Sequence, residues 1–308
     1  MEKFDVVIIG SGVAGMTAAI YSSRLGLKTQ VIENLIPGGQ VINVEKIEDF
    51  PGFPNGISGA ELTELIKNQA ESNGSEFMMS EISKISKSKN SWHIQSSESE
   101  ITTKTIIIAA GSTLSKLNIP GENELIGGGV SYCATCDGAF FIDQKVCVVG
   151  GGDSALQEAL SLTEFASEIQ ILCNKPSLHA QQILKDRVAS NQKISVKYNV
   201  QISEIHGDGM VEAISIVNLS DNEIAKIKMD GVFIFVGLNP NSQHFNNLVS
   251  TDKSGHIITD ENLNTNQPGI FAAGDIRHKS FSQLITSASD GATAAISAYK
   301  HIIKTAKE

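Results

Sequence analysis

FDVVIIGSGVAG, Phe4 to Gly15, decides the fold. FDVVII is apolar except for Asp5 and runs straight into glycines at 10, 12 and 15, in G-x-G-x-x-G spacing. A short continuous apolar run ended by glycine reads as a strand buried on both faces. Beyond it, MTAAIYSSRLG carries apolar residues at helical intervals, and KTQVIE is a second strand ending on Glu33. Strand, glycine turn, helix, strand and acid in about 30 residues is the design of a dinucleotide site. Glycines let the backbone approach a pyrophosphate, the helix start supplies free N–H groups, and the acid bonds a ribose hydroxyl.

The same pattern returns from Lys145. VCVVGGGDSALQEALSL is again strand, glycine turn and helix, with Gly150, Gly152 and Ala155 in G-x-G-x-x-A spacing. IQILC follows as a strand running up to Cys173, and Cys147 in the first strand reads as a small core residue. Two such units imply two cofactors, one held and one exchanged. GIFAAGD, Gly269 to Asp275, reads as a late strand returning to the first unit and capping its ligand, and ITSASDGATAAISAYKHIIK as a closing helix starting near Phe281. The expected fold is therefore α/β, two Rossmann-like dinucleotide-binding domains with the second inserted in the first: 1–114, 115–244 and 245–308. Linkers are expected around Gly111–Pro120 and Gly237–Gln243, where Gly, Pro, Ser and Asn cluster. ELTELIKNQAESNG reads as an amphipathic helix stopped at Gly74, and Trp92 and His93 as structural residues of an alternating strand.

With 308 residues, 41% hydrophobic and 19% charged, the chain has ample core material for two domains. A net charge of −10 argues against nucleic acid as a partner. No apolar run reaches the length of a membrane span. The start MEKFDVVIIG reads as a strand rather than an export signal, so a reducing cytoplasmic setting is expected. Four cysteines are too few for a disulfide framework.

Two of those four stand in SYCATCDGAFF, Ser131 to Phe141. Zinc would need four ligands, and neither Cys147, Cys173 nor the histidines complete a set, so no metal is expected. A purely structural disulfide closing so small a loop constrains little of the unfolded chain. The third reading is a dithiol that cycles: one thiol attacks, the other resolves the mixed disulfide, and Asp137 shuttles the proton. Phe140 and Phe141 either pack beside this pair or form an apolar landing patch. A flavin is the natural link between hydride chemistry and thiol chemistry, which would explain two nucleotide units in one chain.

CATCDG between two such units resembles the bacterial low-molecular-weight thioredoxin reductases. PGGQ (Pro37–Gln40), EDFPGFP (Glu48–Pro54), GGGDSALQEA (Gly150–Ala159), GLNPNS (Gly237–Ser242), GIFAAGD and SQLITSASDG (Ser282–Gly291) extend the resemblance over nearly the whole chain. It implies a homodimeric FAD enzyme that reduces thioredoxin, with Cys133, Cys136 and Asp137 as the catalytic set. It places FAD on the first unit, at Gly10, Ser11, Gly12, Ala14, Gly15, Glu33, Gly39, Gln40, Asp49, Gly111, Gly274, Asp275, Ser282 and Gln283. The nicotinamide dinucleotide falls to Gly152, Asp153, Ser154, Ala155, Lys175 and His179. Cys136 would lie against the flavin while Cys133 exchanges with the partner's disulfide, the second domain rotating between poses.

The departures from that family bear on the electron donor. Its members usually carry His-Arg-Arg and a later Arg to hold the 2′-phosphate of NADPH. Here CNKPSLHA puts Asn174 and Lys175 at the arginine pair and His179 at the later one. An acid that would mark NADH is also missing, since Cys173 stands at the strand end. NADPH is the favoured donor, with NADH and reduced ferredoxin as alternatives. Asp49 and Ser282 replace a usual Asn and Arg near the flavin. Added negative charge there would make the flavin harder to reduce. Other substrates remain open: a thioredoxin-like protein, a small disulfide, a peroxiredoxin-type partner or a disulfide-forming oxidase cycle. So does a non-enzymatic redox sensor.

Overall fold

The computed structural model describes residues 2–89 and 91–307. The chain forms two compact units, Met1–Thr113 with Asn239–Glu308, and Leu114–Leu238.

In the first unit a parallel set runs in the order Glu76–Met79, Thr29–Glu33, Glu2–Ile9, Glu100–Ile108, Ile270–Ala272. Glu100–Ile108 serves two partners. Its first half pairs antiparallel with Ser91–Ser96, which pairs in turn with Ile82–Ser88, and from Ile106 it pairs parallel with Ile270–Ala272. The sequence carries this division. EITTK alternates between exposed and covered side chains, whereas Thr105–Ile108 is buried throughout, as a parallel strand covered on both faces must be. Successive side chains point to opposite faces. Val6 and Ile8 therefore join the core beneath the helices Val13–Arg24, Gly59–Ser72 and Leu284–Thr305. Val7 and Ile9 join the other core, with Trp92, Phe245 and Ile270. Trp92 is a packing residue, and His93 hydrogen-bonds with Thr102.

The second unit holds a wholly parallel sheet in the order Ile194–Lys197, Glu168–Leu172, Lys145–Val149, Gly231–Ile234, Val130–Ser131. A separate antiparallel sheet, Val200–Gly207, Val211–Asn218 and Ile224–Lys228, went unread in the sequence. Its outer strand IAKIK is almost wholly exposed, so no clean alternation announces it. Cys147 is a core residue whose burial pushes its thiol far up, which leaves it inert.

Two expected boundaries move. The compact second unit ends at Leu238 rather than 244, because Asn241 donates to Ala110 O at 2.8 Å and Phe245 enters the first unit's core. The closing helix starts at Leu284 rather than near Phe281, because Lys279 and Ser282 adopt left-handed backbone (φ 63° and 52°) that a helix cannot contain.

The glycine turn of the first unit is held by contacts between main chains. A Cβ on Gly10 (φ +99°) would lie 2.4 Å from Ala109 O, and one on Gly15 would lie 1.9 Å from Gly10 O. Gly12 differs, because a Cβ there would meet no protein atom within 4 Å. Gly15→Ala is therefore expected to lower the urea midpoint by the equivalent of about 1–3 kcal/mol of overpacking. In ligand-free protein Gly12→Ala should leave that midpoint unchanged, and equal losses at both positions in urea titrations would contradict this division.

Candidate functional site

The first unit carries a cleft of about 800 Å³, within the range of sites for bound small molecules. Of the residues expected there, Gly10, Ser11, Gly12, Ala14, Glu33, Gly39, Gln40, Gly111, Gly274 and Asp275 line it. Gly15, Asp49, Ser282 and Gln283 do not. Gly15 sits under the turn as a packing residue, Asp49 and Ser282 are exposed, and Gln283 precedes the closing helix. Ser80–Ile85 and the stretch around Asn241 and His244 also line the cleft and were missed. Asn241 lay in the quoted GLNPNS, but nothing in its spacing marks a ligand contact.

Two of the carboxylates that line the cleft, Glu33 and Asp275, are held by neighbouring groups. Glu33 Oε2 accepts from the Ser11 N–H at 2.8 Å and the Ser11 hydroxyl at 2.7 Å, which ties the strand end to the glycine turn. Its Oε1 accepts from the N–H groups of Asn34 and Leu35. Asp275 is held above the ordinary carboxylate range, chiefly by burial, with Asp290 adding repulsion. The Ser280 and Ser287 hydroxyls, and the charge of His256, act against that rise.

In the second unit, Gly150 (φ +145°) has no room for a side chain beside Phe235 O, and Ala155 packs beneath it. A Cβ on Gly151 would lie 2.6 Å from Cys173 Sγ, so Cys173 fills the space under the turn rather than facing a ligand. Gly152 is open, with His179 Nε2 nearest to its missing Cβ at 3.7 Å. The His179 N–H donates to Gly151 O at 2.9 Å, which sets its ring along the glycine turn. Asp153 and Ser154 begin the following helix, and Asp153 accepts from the Gln181 N–H at 2.7 Å. Lys175 is exposed on the same loop as His179.

Cys133 and Cys136 are joined as a disulfide, their Cα atoms 5.3 Å apart. Cys133 caps the short helix Ala134–Asp137, and its sulfur accepts the Cys136 N–H at 3.1 Å. Asp137 follows, accepting the Ser131 hydroxyl at 2.6 Å, while Ser131 Oγ also receives the Cys133 N–H at 3.0 Å. Glu158, on the helix Asp153–Leu162, accepts the Ala134 N–H at 2.7 Å. Ser131 and Glu158 thus fix the dithiol segment, and neither was marked by sequence. Ser131 offered only its place two residues before a cysteine, and Glu158 only one turn of a nucleotide-type helix. The two phenylalanines divide: Phe141 is buried edge-on against Phe233, 5.2 Å between centroids, while Phe140 is 76% exposed. Among the described residues no cluster of His, Cys, Asp or Glu could hold a metal ion, and no helix is long and apolar enough to cross a membrane.

The chain matches the family described as pyridine nucleotide-disulphide oxidoreductase over residues 4–293. It is 43% identical to the thioredoxin reductase of Bacillus subtilis (strain 168) over 300 residues, 97% of this chain and 95% of that one. Among solved structures, Lactococcus lactis thioredoxin reductase superposes with a TM-score of 0.95 at 43% identity, covering 98% of this chain and 99% of that one. T. acidophilum thioredoxin reductase gives 0.94 at 33%, covering 98% of this chain and 100% of that one. A glycine-turn cleft in one unit, a second glycine turn and a Cys133–Cys136 disulfide in the other, and likeness along the whole length agree: this chain is a disulfide oxidoreductase and belongs to the pyridine nucleotide-disulphide oxidoreductase family, in its thioredoxin reductase branch.

Proposed function

We propose that this chain reduces the disulfide of thioredoxin, with electrons entering from NADPH and passing by way of FAD to the Cys133–Cys136 pair. The observation that carries this reading is the disulfide itself, seated with Asp137 on one short, hydrogen-bonded segment. FAD fits the cleft of the first unit: Gly12 leaves open space where a pyrophosphate would approach, and Glu33 stands at the strand end for a ribose. Gly10, Ser11, Gly39, Gln40, Gly111, Gly274 and Asp275 would complete its contacts. When bound, FAD accepts a hydride and delivers its electrons to a disulfide.

The rest follows from the chain's own groups. In the reduced pair Cys133 is the better nucleophile, because the Cys136 N–H already points at its sulfur and favours the thiolate. Its sulfur attacks one sulfur of the thioredoxin disulfide, the partner's S–S bond breaks, and a mixed disulfide forms. Cys136 then attacks Cys133, restoring the internal disulfide and releasing the second partner thiolate. Asp137 supplies a proton to a leaving thiolate, with Ser131 aiming its carboxyl group along the segment. Exposed Phe140 offers an apolar contact for the partner close to the dithiol.

The donor reading rests on the second glycine turn. Cys173 occupies the place where an acid for the ribose diol of NADH would stand. Lys175 leaves a positive charge and His179 an imidazole on the loop that would meet a 2′-phosphate, so NADPH is favoured over NADH, and reduced ferredoxin is the other alternative. A homodimer is part of the proposal, with Ile285, Ile296 and Ile303 of the closing helix exposed to a second copy, as is a cytoplasmic setting.

Three measurements test these roles. Anaerobic NADPH should bleach the yellow protein within the mixing time, and NADH more slowly; bleaching by reduced ferredoxin alone would overturn the donor order. Cys136→Ser should trap thioredoxin as a stable mixed disulfide on Cys133, seen as a mass increase on non-reducing gels. Trapping by Cys133→Ser instead would exchange the two roles. Asp137→Asn should slow thioredoxin reduction by about 10²-fold or more while flavin reduction keeps its rate, and equal slowing of both steps would remove the proton-transfer role.

A further inference from the structure

Three stretches of chain meet at one crowded point beside the cleft. Gly274 (φ +78°) has no space for a side chain, because its Cβ would lie 2.9 Å from the Ala14 Cβ. Gly291 of the closing helix likewise presses on Ala14, where a Cβ would lie 2.1 Å from the main-chain oxygen. Between these contacts stands an ion pair, buried Asp290 with half-buried Arg277. Arg277 donates from Nη2 to Asp290 Oδ1 at 2.8 Å and from Nε to Oδ2. Asp290 Oδ2 also accepts the Gly274 N–H at 3.0 Å. One turn earlier on the same helix, the Ser287 hydroxyl reaches Asp275 Oδ1 at 3.4 Å. The closing helix thus grips both residues of the Gly274–Asp275 turn, and both line the cleft.

We propose that Asp290 and Arg277 are positioning residues for the cofactor cleft, fixing the Gly274–Asp275 turn and setting the charge that the Asp275 carboxyl group presents to the ligand. The inference rests on the FAD reading of the cleft. An ionised carboxylate accepts hydrogen bonds from ligand hydroxyls, and a protonated one accepts fewer. The charged groups acting on Asp275 are Asp290 from the closing helix, Arg277 through its pair with Asp290, and His256. His256 in turn shares Asp252 with His278. Ser280 and Ser287 contribute neutral hydroxyls. Arg277 pairs with the Asp290 carboxylate through two hydrogen bonds, and its positive charge opposes the repulsion that Asp290 exerts on Asp275.

The sign follows directly. Burial and Asp290 raise the Asp275 pKa, so FAD should be retained above it and released as pH falls through it. Removing the Asp290 charge lowers that pKa, and removing the Arg277 charge raises it. The test uses the FAD-loaded protein, following flavin fluorescence on release as pH is lowered from 8. Asp290→Asn should move the midpoint of release downward, and Arg277→Gln upward, each by about one pH unit. Ser287→Ala, a milder change that spares the ion pair, should also move it upward. A loss of packing alone would loosen FAD in every variant without moving the midpoints in opposite directions. Midpoints equal to that of the unaltered protein, or moving the same way in Asp290→Asn and Arg277→Gln, would overturn the inference. An unaltered protein that takes up no FAD would sink the FAD reading together with this inference. A yellow one with unmoved midpoints would sink this inference alone.

Discussion

The rest of the first unit depends on one constraint, the closeness of main chain to main chain at its glycine turn. Gly15 brings the first helix so near the first strand that the carbonyl of Gly10 occupies the place of a side chain, and Gly10 does the same against Ala109. Only this packing aims the start of the helix at the cleft. Its free N–H groups and positive end then face open space at Gly12, where nothing of the protein intrudes. Gly10 and Gly15 serve the fold, and Gly12 serves whatever binds. The G-x-G-x-x-G spacing combines two physical demands that sequence alone shows as one.

Much of this architecture was legible because parallel strands buried on both faces leave continuous apolar runs, and glycine turns punctuate them. FDVVII, TIIIAAG and VCVVGGG announce themselves in that way. What stayed hidden has a common cause. In the sheet Val200–Lys228 the outer strand is exposed, and register shifts at Ile202/Glu204 and His206/Gly207 break the alternation of the first. The closing helix begins late because left-handed residues at Lys279 and Ser282 carry no glycine to signal them. In the site, the dithiol and its acid were visible as a spacing, whereas Ser131 acts through hydrogen bonds inside its own segment and Glu158 through one from a remote helix, which no residue spacing marks.

The two glycine turns are alike in plan and different in use. Beneath the first, the strand-end acid Glu33 reaches back to Ser11 and remains at the cleft. Beneath the second, the equivalent place belongs to a buried thiol whose sulfur fits against Gly151. A carboxylate there would have to surrender its solvation in a space now filled by the Cys173 sulfur. Cys173 therefore shapes the ligand chemistry of the second turn by exclusion. The proposed dinucleotide reading then turns to the exposed loop that follows, which carries Lys175 and His179.

A buried acid near the dithiol shows how the same unit keeps its reactive segment in register. Glu122 is wholly buried, yet its oxygens accept from the N–H groups of Leu117 and Asn118 and from the Tyr132 hydroxyl at 2.6 Å. Burial works against its charge, but the Tyr132 hydroxyl and the main-chain N–H groups outweigh it and hold the carboxyl below its ordinary range. Burial and the neighbouring carboxylate together push the Tyr132 phenol up. The proton therefore stays on the tyrosine and the charge on Glu122 through the whole range in which thiols titrate. A bond of that kind is a fixed strut rather than a switch. Because Tyr132 directly precedes Cys133, the segment Leu117–Asn118 and the start of the dithiol segment are anchored to one carboxylate.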